Sequence, residues 1–179
     1  MFRLCPICNN KKGKITFPYN TYWNKKIFNY WSCSKCKSTY VDPLPDNSDL
    51  KIIYSKKNYH DLHYLECDNQ EYLKSISILK RHVNNKMSIL DYGCGNGLFL
   101  SIVKEAGFNC IGVEIDIETI KIAKQNSGSP VFQYEQLLLH GYKFDIIHLG
   151  DVLEHIPNPY LLIKELQKLL NHDGLFFVE

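Results

Sequence analysis

Three sets of residues in this chain have the types and spacing to do chemistry. The first is Asp91-Tyr92-Gly93-Cys94-Gly95-Asn96-Gly97, a carboxylate followed by glycine at every second position. Glycines here remove the side chains that would keep a ligand off the backbone, and a helix starting near Asn96 offers N–H groups that its own ladder does not use. The dinucleotide fingerprint G-x-G-x-x-G is not met, because Leu98 stands where its third glycine would fall, and no G-x-x-x-x-G-K-[ST] phosphate loop is present. A carboxylate two residues before the first glycine suits a ligand that carries a cation, such as an amino group. The second set is Cys5-Pro6-Ile7-Cys8 and Cys33-Ser34-Lys35-Cys36. Each C-x-x-C presents two thiolates from one tight turn, and two such knuckles close a tetrahedron around Zn²⁺ with no open position, a structural rather than catalytic site. The competing redox reading of C-x-x-C normally involves one motif beside a βαβ unit. The third set is Gly150-Asp151-Val152-Leu153-Glu154-His155, in which His155 is a neutral base able to accept a proton from an activated acceptor.

Short apolar strands and amphipathic helices must position these groups. Strand 88–92 leads into the glycine loop, and a helix from about Asn96 to Ala106 stops at Gly107, a C-cap signal. Cys110–Ile115 reads as a second strand, Glu118–Gln125 as a helix, Val131–Tyr134 as a third strand and Phe144–Leu149 as a fourth. A helix over Leu161–Leu170 and a fifth strand from Gly174 follow. Helices alternating with apolar strands predict a mostly parallel sheet. Glu114 then closes the strand beside Asp91, where it faces the crevice and can accept hydrogen bonds from vicinal ribose hydroxyls. Upstream, Lys14–Phe17 and Ile27–Trp31 read as the strands of a hairpin between the cysteine knuckles. Asp46 or Asn47 caps a short helix through Tyr54, Lys56–Asp61 is a polar loop, and Gln70–Val83 carries apolar residues at helical spacing. Asn84-Asn85-Lys86 marks the boundary before the sheet.

The chain has 179 residues, 45% hydrophobic and 22% charged, which is globular composition. A net charge of +2 is too small to imply a nucleic-acid partner for the whole chain. Its distribution is uneven, because Arg3, Lys11, Lys12, Lys14, Lys25, Lys26, Lys35 and Lys37 stand in a segment 1–41 without Asp or Glu. Tyr19, Tyr22, Trp23, Tyr30, Trp31 and Tyr40 interleave with them, as the packing of a small domain or as a stacking surface. No apolar run reaches about 18 residues, and Met1–Pro6 lacks a signal-peptide core, so the expectation is a cytoplasmic chain with no membrane span. In that compartment Cys67, Cys94 and Cys110 read as small buried hydrophobes.

The spacing D-x-G-x-G-x-G, Glu114 after the next strand and Gly150-Asp151-Val152-Leu153-Glu154-His155 followed by Pro157 resemble the class I S-adenosylmethionine-dependent methyltransferases. With the four-cysteine module and the Tyr54–Tyr59 connector, the whole chain resembles small-molecule methyltransferases with an N-terminal zinc ribbon. The resemblance implies an α/β, Rossmann-like sheet behind a ribbon: a zinc ribbon over 1–42, a helical connector over 43–85 and a partial cofactor-binding domain over 86–179. It implies that Asp91, Gly93, Gly95 and Gly97 hold the amino-acid end of S-adenosylmethionine, Glu114 the ribose, and Ile115 the adenine. Glu135 falls where the family often has an acidic residue near the adenine amino group, with Gln136 as a substitute. Gly150 and Asp151 would lie near the methyl donor, with His155 as base or as a structural group. The metal would be structural Zn²⁺ on Cys5, Cys8, Cys33 and Cys36. The implied acceptor is a small molecule such as a sugar or glycan precursor; an RNA gripped by the basic ribbon, or a non-catalytic scaffold role, are the rivals. The family sheet has seven strands, so the further expectation is a sheet incomplete after strand five: a fragment, a degenerate descendant, or a sheet whose edge a second copy or a partner covers.

Overall fold

The computed structural model describes residues 4–53, 69–84 and 86–179. Tyr54, the expected loop Lys56–Asp61, Cys67 and the boundary residue Asn85 lie outside the described residues. The chain divides into two units, one of Met1–Leu65 with Ile156–Ile163 and one of Glu66–His155 with Lys164–Glu179.

The first unit is built on an antiparallel sheet of β1 (Gly13–Trp23), β2 (Lys26–Cys33) and β3 (Thr39–Asp42) in that order. Trp23 pairs with Lys26 across a two-residue turn, Asn24-Lys25, whose φ values of 45° and 62° are both positive. Hairpin turns that match strand twist need that conformation, and Asn tolerates it best after glycine. Helix α1 (Asn47–Ile53) follows, with Asp46 as its cap: Asp46 Oδ1 accepts from the N–H groups of Ser48 at 2.9 Å and Asp49 at 3.0 Å. Lys26 Nζ lies 2.6 Å from both Asp46 and Asp49, and Asn24 donates to Asp49 at 2.7 Å. The fully buried Asp49 therefore has its charge paired, and the hairpin turn is tied to the start of α1.

The second unit runs α2 (Asn69–His82), β4 (Ser88–Tyr92), α3 (Leu98–Glu105), β5 (Asn109–Val113), α4 (Ile117–Ser127), β6 (Val131–Phe132), α5 (Tyr134–Leu139) and β7 (Phe144–Leu149). A 3₁₀ turn (Leu153–His155), α6 (Pro159–Gln167, which crosses the division between the units) and β8 (Leu170–Val178) complete it. The sheet order is β6-β5-β4-β7-β8 and every neighbouring pair is parallel. The chain builds outward from β4 through β5 to β6, then returns to place β7 on the other side of β4. That reversal opens a crevice at the carboxyl ends of the central strands. Both faces of the sheet are covered: Ile89, Leu90, Ile146, Ile147 and Leu149 are wholly buried, each contributing about 1.5–3 kcal/mol of transfer free energy. Helix α3 turns Phe99, Leu100 and Val103 onto the sheet.

In the first unit β1 runs on to Trp23, beyond the expected Lys14–Phe17, and β3 adds a strand to the expected hairpin. In the sheet of the second unit two elements depart from the sequence reading. The third strand stops at Phe132 rather than Tyr134, and α5 follows, because Gln136 Oε1 reaches back to accept the Gln133 N–H at 3.2 Å and starts a helix there. The fifth strand begins at Leu170, where a helix was expected to continue; α6 ends at Gln167. Leu170 pairs with Phe144 and Leu175 with Ile146, so an irregularity in β8 absorbs the intervening polar residues.

Candidate functional site

The glycine loop is held from the neighbouring strand. The N–H groups of Gly93 and Cys94 donate to Val113 O at 2.8 and 3.0 Å, and that of Gly95 donates to Glu114 Oε2 at 3.1 Å. Asn96 Oδ1 accepts from Leu98 N–H at 3.1 Å and supports the first turn of α3. Gly97 has φ +81°, and a Cβ on it would lie 2.7 Å from Ala123 O. Gly93 has φ +80°, and a Cβ there would meet Val152 Cγ2 at 2.8 Å. The glycines thus also let α3 and α4 approach and seat Val152 under the loop. Loop N–H groups directed inward in this way are not arranged as a phosphate cradle.

Asp91, at the end of β4, is 3% exposed. Its Oδ1 lies 2.7 Å from His148 Nδ1; among the described residues its buried Oδ2 has no hydrogen-bond partner. Glu114, 8% exposed, follows β5 directly. Its Oε1 accepts from the N–H groups of Ile115 at 2.7 Å and Asp116 at 3.3 Å. The next residue, Ile115, is 81% exposed, an apolar surface beside a carboxylate at the crevice edge. Glu135 stands exposed in the first turn of α5.

Gly150 and Asp151 follow β7 at the same edge of the sheet. Asp151 is exposed and adopts φ +50°, a left-handed conformation that costs a non-glycine residue energy and is common where function fixes the backbone. His155 ends the 3₁₀ turn, half-buried, with its N–H donating to Val152 O at 3.0 Å. The structure therefore ties the glycine loop to Glu114 and Val113 by hydrogen bonds and sets Val152 against Gly93, while Asp91, on the strand that leads into the loop, is bonded to His148 instead.

Sequence reasoning passed over His148 as one more position in an apolar strand. It is 2% exposed, with Nδ1 on Asp91 and Nε2 3.3 Å from Glu179 Oε2, while Ser75 Oγ of α2 donates to Glu179 Oε1. Burial alone would lower its pKa, but Asp91 and then Glu179 outweigh burial and hold it up at about 9. The His148 hydrogen bond correspondingly lowers that of Glu179. The one signal available was an imidazole inside the otherwise apolar run Ile146-Ile147-His148-Leu149.

In the first unit the sulfurs of Cys5, Cys8, Cys33 and Cys36 all lie within 4.8 Å of one another, and Cys5–Cys36 and Cys8–Cys33 are each 3.6 Å apart. A tetrahedral site with metal–sulfur bonds of about 2.3 Å needs sulfurs about 3.8 Å apart, so the four thiols fit one. Backbone N–H groups of Cys36 and Lys35 bring the Cys33 thiol down to about 6, whereas burial pushes Cys5 up to about 11. Cys94 and Cys110 are buried in the second unit, as expected of small apolar residues.

The profile of the family described as a methyltransferase domain matches residues 36–179. The ubiquinone biosynthesis O-methyltransferase of Actinobacillus pleuropneumoniae serotype 7 (strain AP76) is 32% identical over 101 residues, 50% of this chain and 43% of that protein. The protein of the same name from Bartonella tribocorum (strain CIP 105476 / IBS 506) is 36% identical over 101 residues, 52% of this chain and 41% of its own length. The chain thus spans less than half the length of these relatives. Among solved structures, magnesium protoporphyrin IX methyltransferase from Synechocystis PCC 6803 with bound SAH matches at TM-score 0.59 and 18% identity, over 70% of this chain and 68% of that one. Coclaurine N-methyltransferase bound to N-methylheliamine and SAH matches at TM-score 0.53 and 22% identity, over 63% of this chain and 37% of that one. At such identities the likeness is one of fold. The family match from Cys36 to Glu179, the parallel sheet and the D-x-G-x-G-x-G loop at its switch point agree: this chain belongs to the methyltransferase-domain family, of the class I, S-adenosylmethionine-dependent kind.

Proposed function

We propose that this chain binds S-adenosylmethionine at the glycine loop and serves methyl transfer to a small-molecule acceptor. The observation that carries the reading is the charge of the crevice. Two buried carboxylates, Asp91 and Glu114, stand at the ends of adjacent strands, and the loop N–H groups of Gly93, Cys94 and Gly95 are already engaged. A phosphate would meet negative charge there, whereas a nucleoside with an ammonium group and a ribose diol suits it. On this reading Asp91 Oδ2 takes the ammonium group and Glu114 the ribose hydroxyls, the Glu114 oxygens keeping acceptor capacity beyond their backbone bonds. Ile115 lies along the adenine and Glu135 near its amino group. When bound, the cofactor supplies a methyl group on a sulfonium, which leaves as a neutral thioether. Gly150 and Asp151 border the reacting centre, and His155 takes the acceptor's proton as the new bond forms. Alignment of donor and acceptor is the larger contribution.

The named relatives favour a small-molecule acceptor with a hydroxyl group; a sugar or glycan precursor is the narrower proposal from the sequence resemblance. RNA fits less well, because Lys26 of the basic segment is already paired with Asp46 and Asp49. Cys5, Cys8, Cys33 and Cys36 hold structural Zn²⁺. Calorimetry with S-adenosylmethionine tests the central claim: binding is expected in the wild type, and Asp91→Asn should weaken it by roughly 10- to 100-fold, far more than Cys94→Ala. Equal effects would mean that the site lies elsewhere, and no binding to the wild type would favour a non-catalytic role.

A further inference from the structure

Behind Asp91, on the face of the sheet beneath the loop, lie three polar groups that the cofactor reading leaves unused: His148, Glu179 and Ser75. Asp91 and His148 are register partners on β4 and β7, so their side chains share a face, and Phe177 of β8 is the partner of His148 on the other side. The imidazole lies between two rings, its centroid 3.9 Å from that of Phe99 and 5.5 Å from that of Phe177, with interplanar angles of 24° and 28°. Gly150 packs closely on it as well: a Cβ there would lie 2.9 Å from His148 Cε1. Each ring nitrogen faces a carboxylate, Asp91 at 2.7 Å and Glu179 at 3.3 Å, and Ser75 secures Glu179 from α2. Only a doubly protonated imidazole donates to both, and the flanking aromatic faces favour that cation.

This arrangement fixes one oxygen of Asp91 and leaves the other bare. A buried carboxylate oxygen without a partner is costly, and among the described residues nothing satisfies Oδ2. We propose that His148 is a positioning residue which, backed by Glu179 and Ser75, locks the Asp91 carboxylate with Oδ1 on the imidazole and Oδ2 reserved for the ammonium group of the cofactor's amino-acid end. The proposal rests on the S-adenosylmethionine reading of the loop. It differs from a packing role in one respect: the ammonium end of the ligand should depend on His148, and the nucleoside end should not.

Two ligands separate these ends. S-adenosylhomocysteine carries the ammonium group; methylthioadenosine has the same nucleoside and thioether but no amino-acid end. In calorimetry on the full chain, His148→Leu is expected to weaken S-adenosylhomocysteine by roughly 10- to 100-fold, the loss of one charge-assisted hydrogen bond. Methylthioadenosine should change by less than about twofold. His148→Asn, whose amide nitrogen takes the place of Nδ1, should restore most of the lost affinity. Equal weakening of both ligands, or no weakening of either, overturns the proposal. If His148→Leu fails to fold, nitrogen-15 spectra of the wild type decide: the His148 Nδ1 resonance should shift with S-adenosylhomocysteine and stay put with methylthioadenosine, and an identical response to both overturns the proposal. A wild type that binds neither ligand removes the cofactor reading itself, an outcome distinct from all of these.

Discussion

At the scale of single residues, the site is governed by how buried charges are compensated. Glu114 is held by three backbone N–H groups and in turn holds Gly95, so one side chain shapes the loop and keeps its own charge satisfied. Among the described residues, Asp91 is satisfied on one oxygen only, through His148. The His148 contacts make stability depend on pH with a definite sign. Its pKa rises on folding from an ordinary 6.5 to about 9, so its stabilisation is fully present below about pH 6.5 and is lost as pH rises through about 9. Glu179 is lowered from 4.5, so its share is present above about pH 4.5 and is lost as pH falls through the folded value. Melting temperature should therefore fall on the alkaline side between about pH 7 and 10, and His148→Asn should flatten that limb. An unchanged alkaline limb in the variant would show that His148 is neutral in the folded chain. Asp91, the glycines and Glu114 were legible as a local pattern, whereas His148 was not, because its partners are distant in sequence.

Elements place these residues through a few close approaches. Gly97 begins α3 in a left-handed conformation with the backbone of α4 against it. Gly97→Ala would strain φ and drive a methyl into Ala123 O, which cannot swing aside, so a loss of about 1–3 kcal/mol is expected. Thermal unfolding measures it, and a melting temperature within a degree or so of wild type would show that the α3–α4 approach is looser than described. The long apolar strands and the amphipathic helices were readable because period and burial coincide in them. Helix α5 was not: Tyr134–Leu139 is a single short element in which a Gln133–Gln136 contact decides between strand and helix. The start of β8 was missed for a related reason, since Asn171–Gly174 reads as a polar turn and only pairing with β7 draws Leu170 into the sheet.

At the scale of the whole molecule, the two units keep themselves folded by different means. The second buries a two-faced parallel sheet; the first is a small three-stranded sheet with many exposed residues, where a bound metal would have to supply on the order of 10 kcal/mol. Both tryptophans of the chain, Trp23 and Trp31, lie in that sheet, so their fluorescence reports on it. Elemental analysis should find about one zinc per chain, and chelation should shift tryptophan emission to the red, reversed by added zinc. Zinc release with unchanged emission would mean that the ribbon does not depend on its metal. What the sequence by itself determined were the features set by neighbours along the chain: the glycine loop, the paired cysteine knuckles, the strand–helix alternation and, through their order, the fold. Turn conformations and amphipathic periods are local constraints, so local spacing is enough to read them. What only the tertiary structure decided was the meeting of Asp91 with His148, 57 positions away, and of Glu179 with His148 and Ser75, 31 and 104 positions away. Those contacts follow from the register of parallel strands and the packing of a helix over them, quantities that no stretch of neighbouring residues encodes.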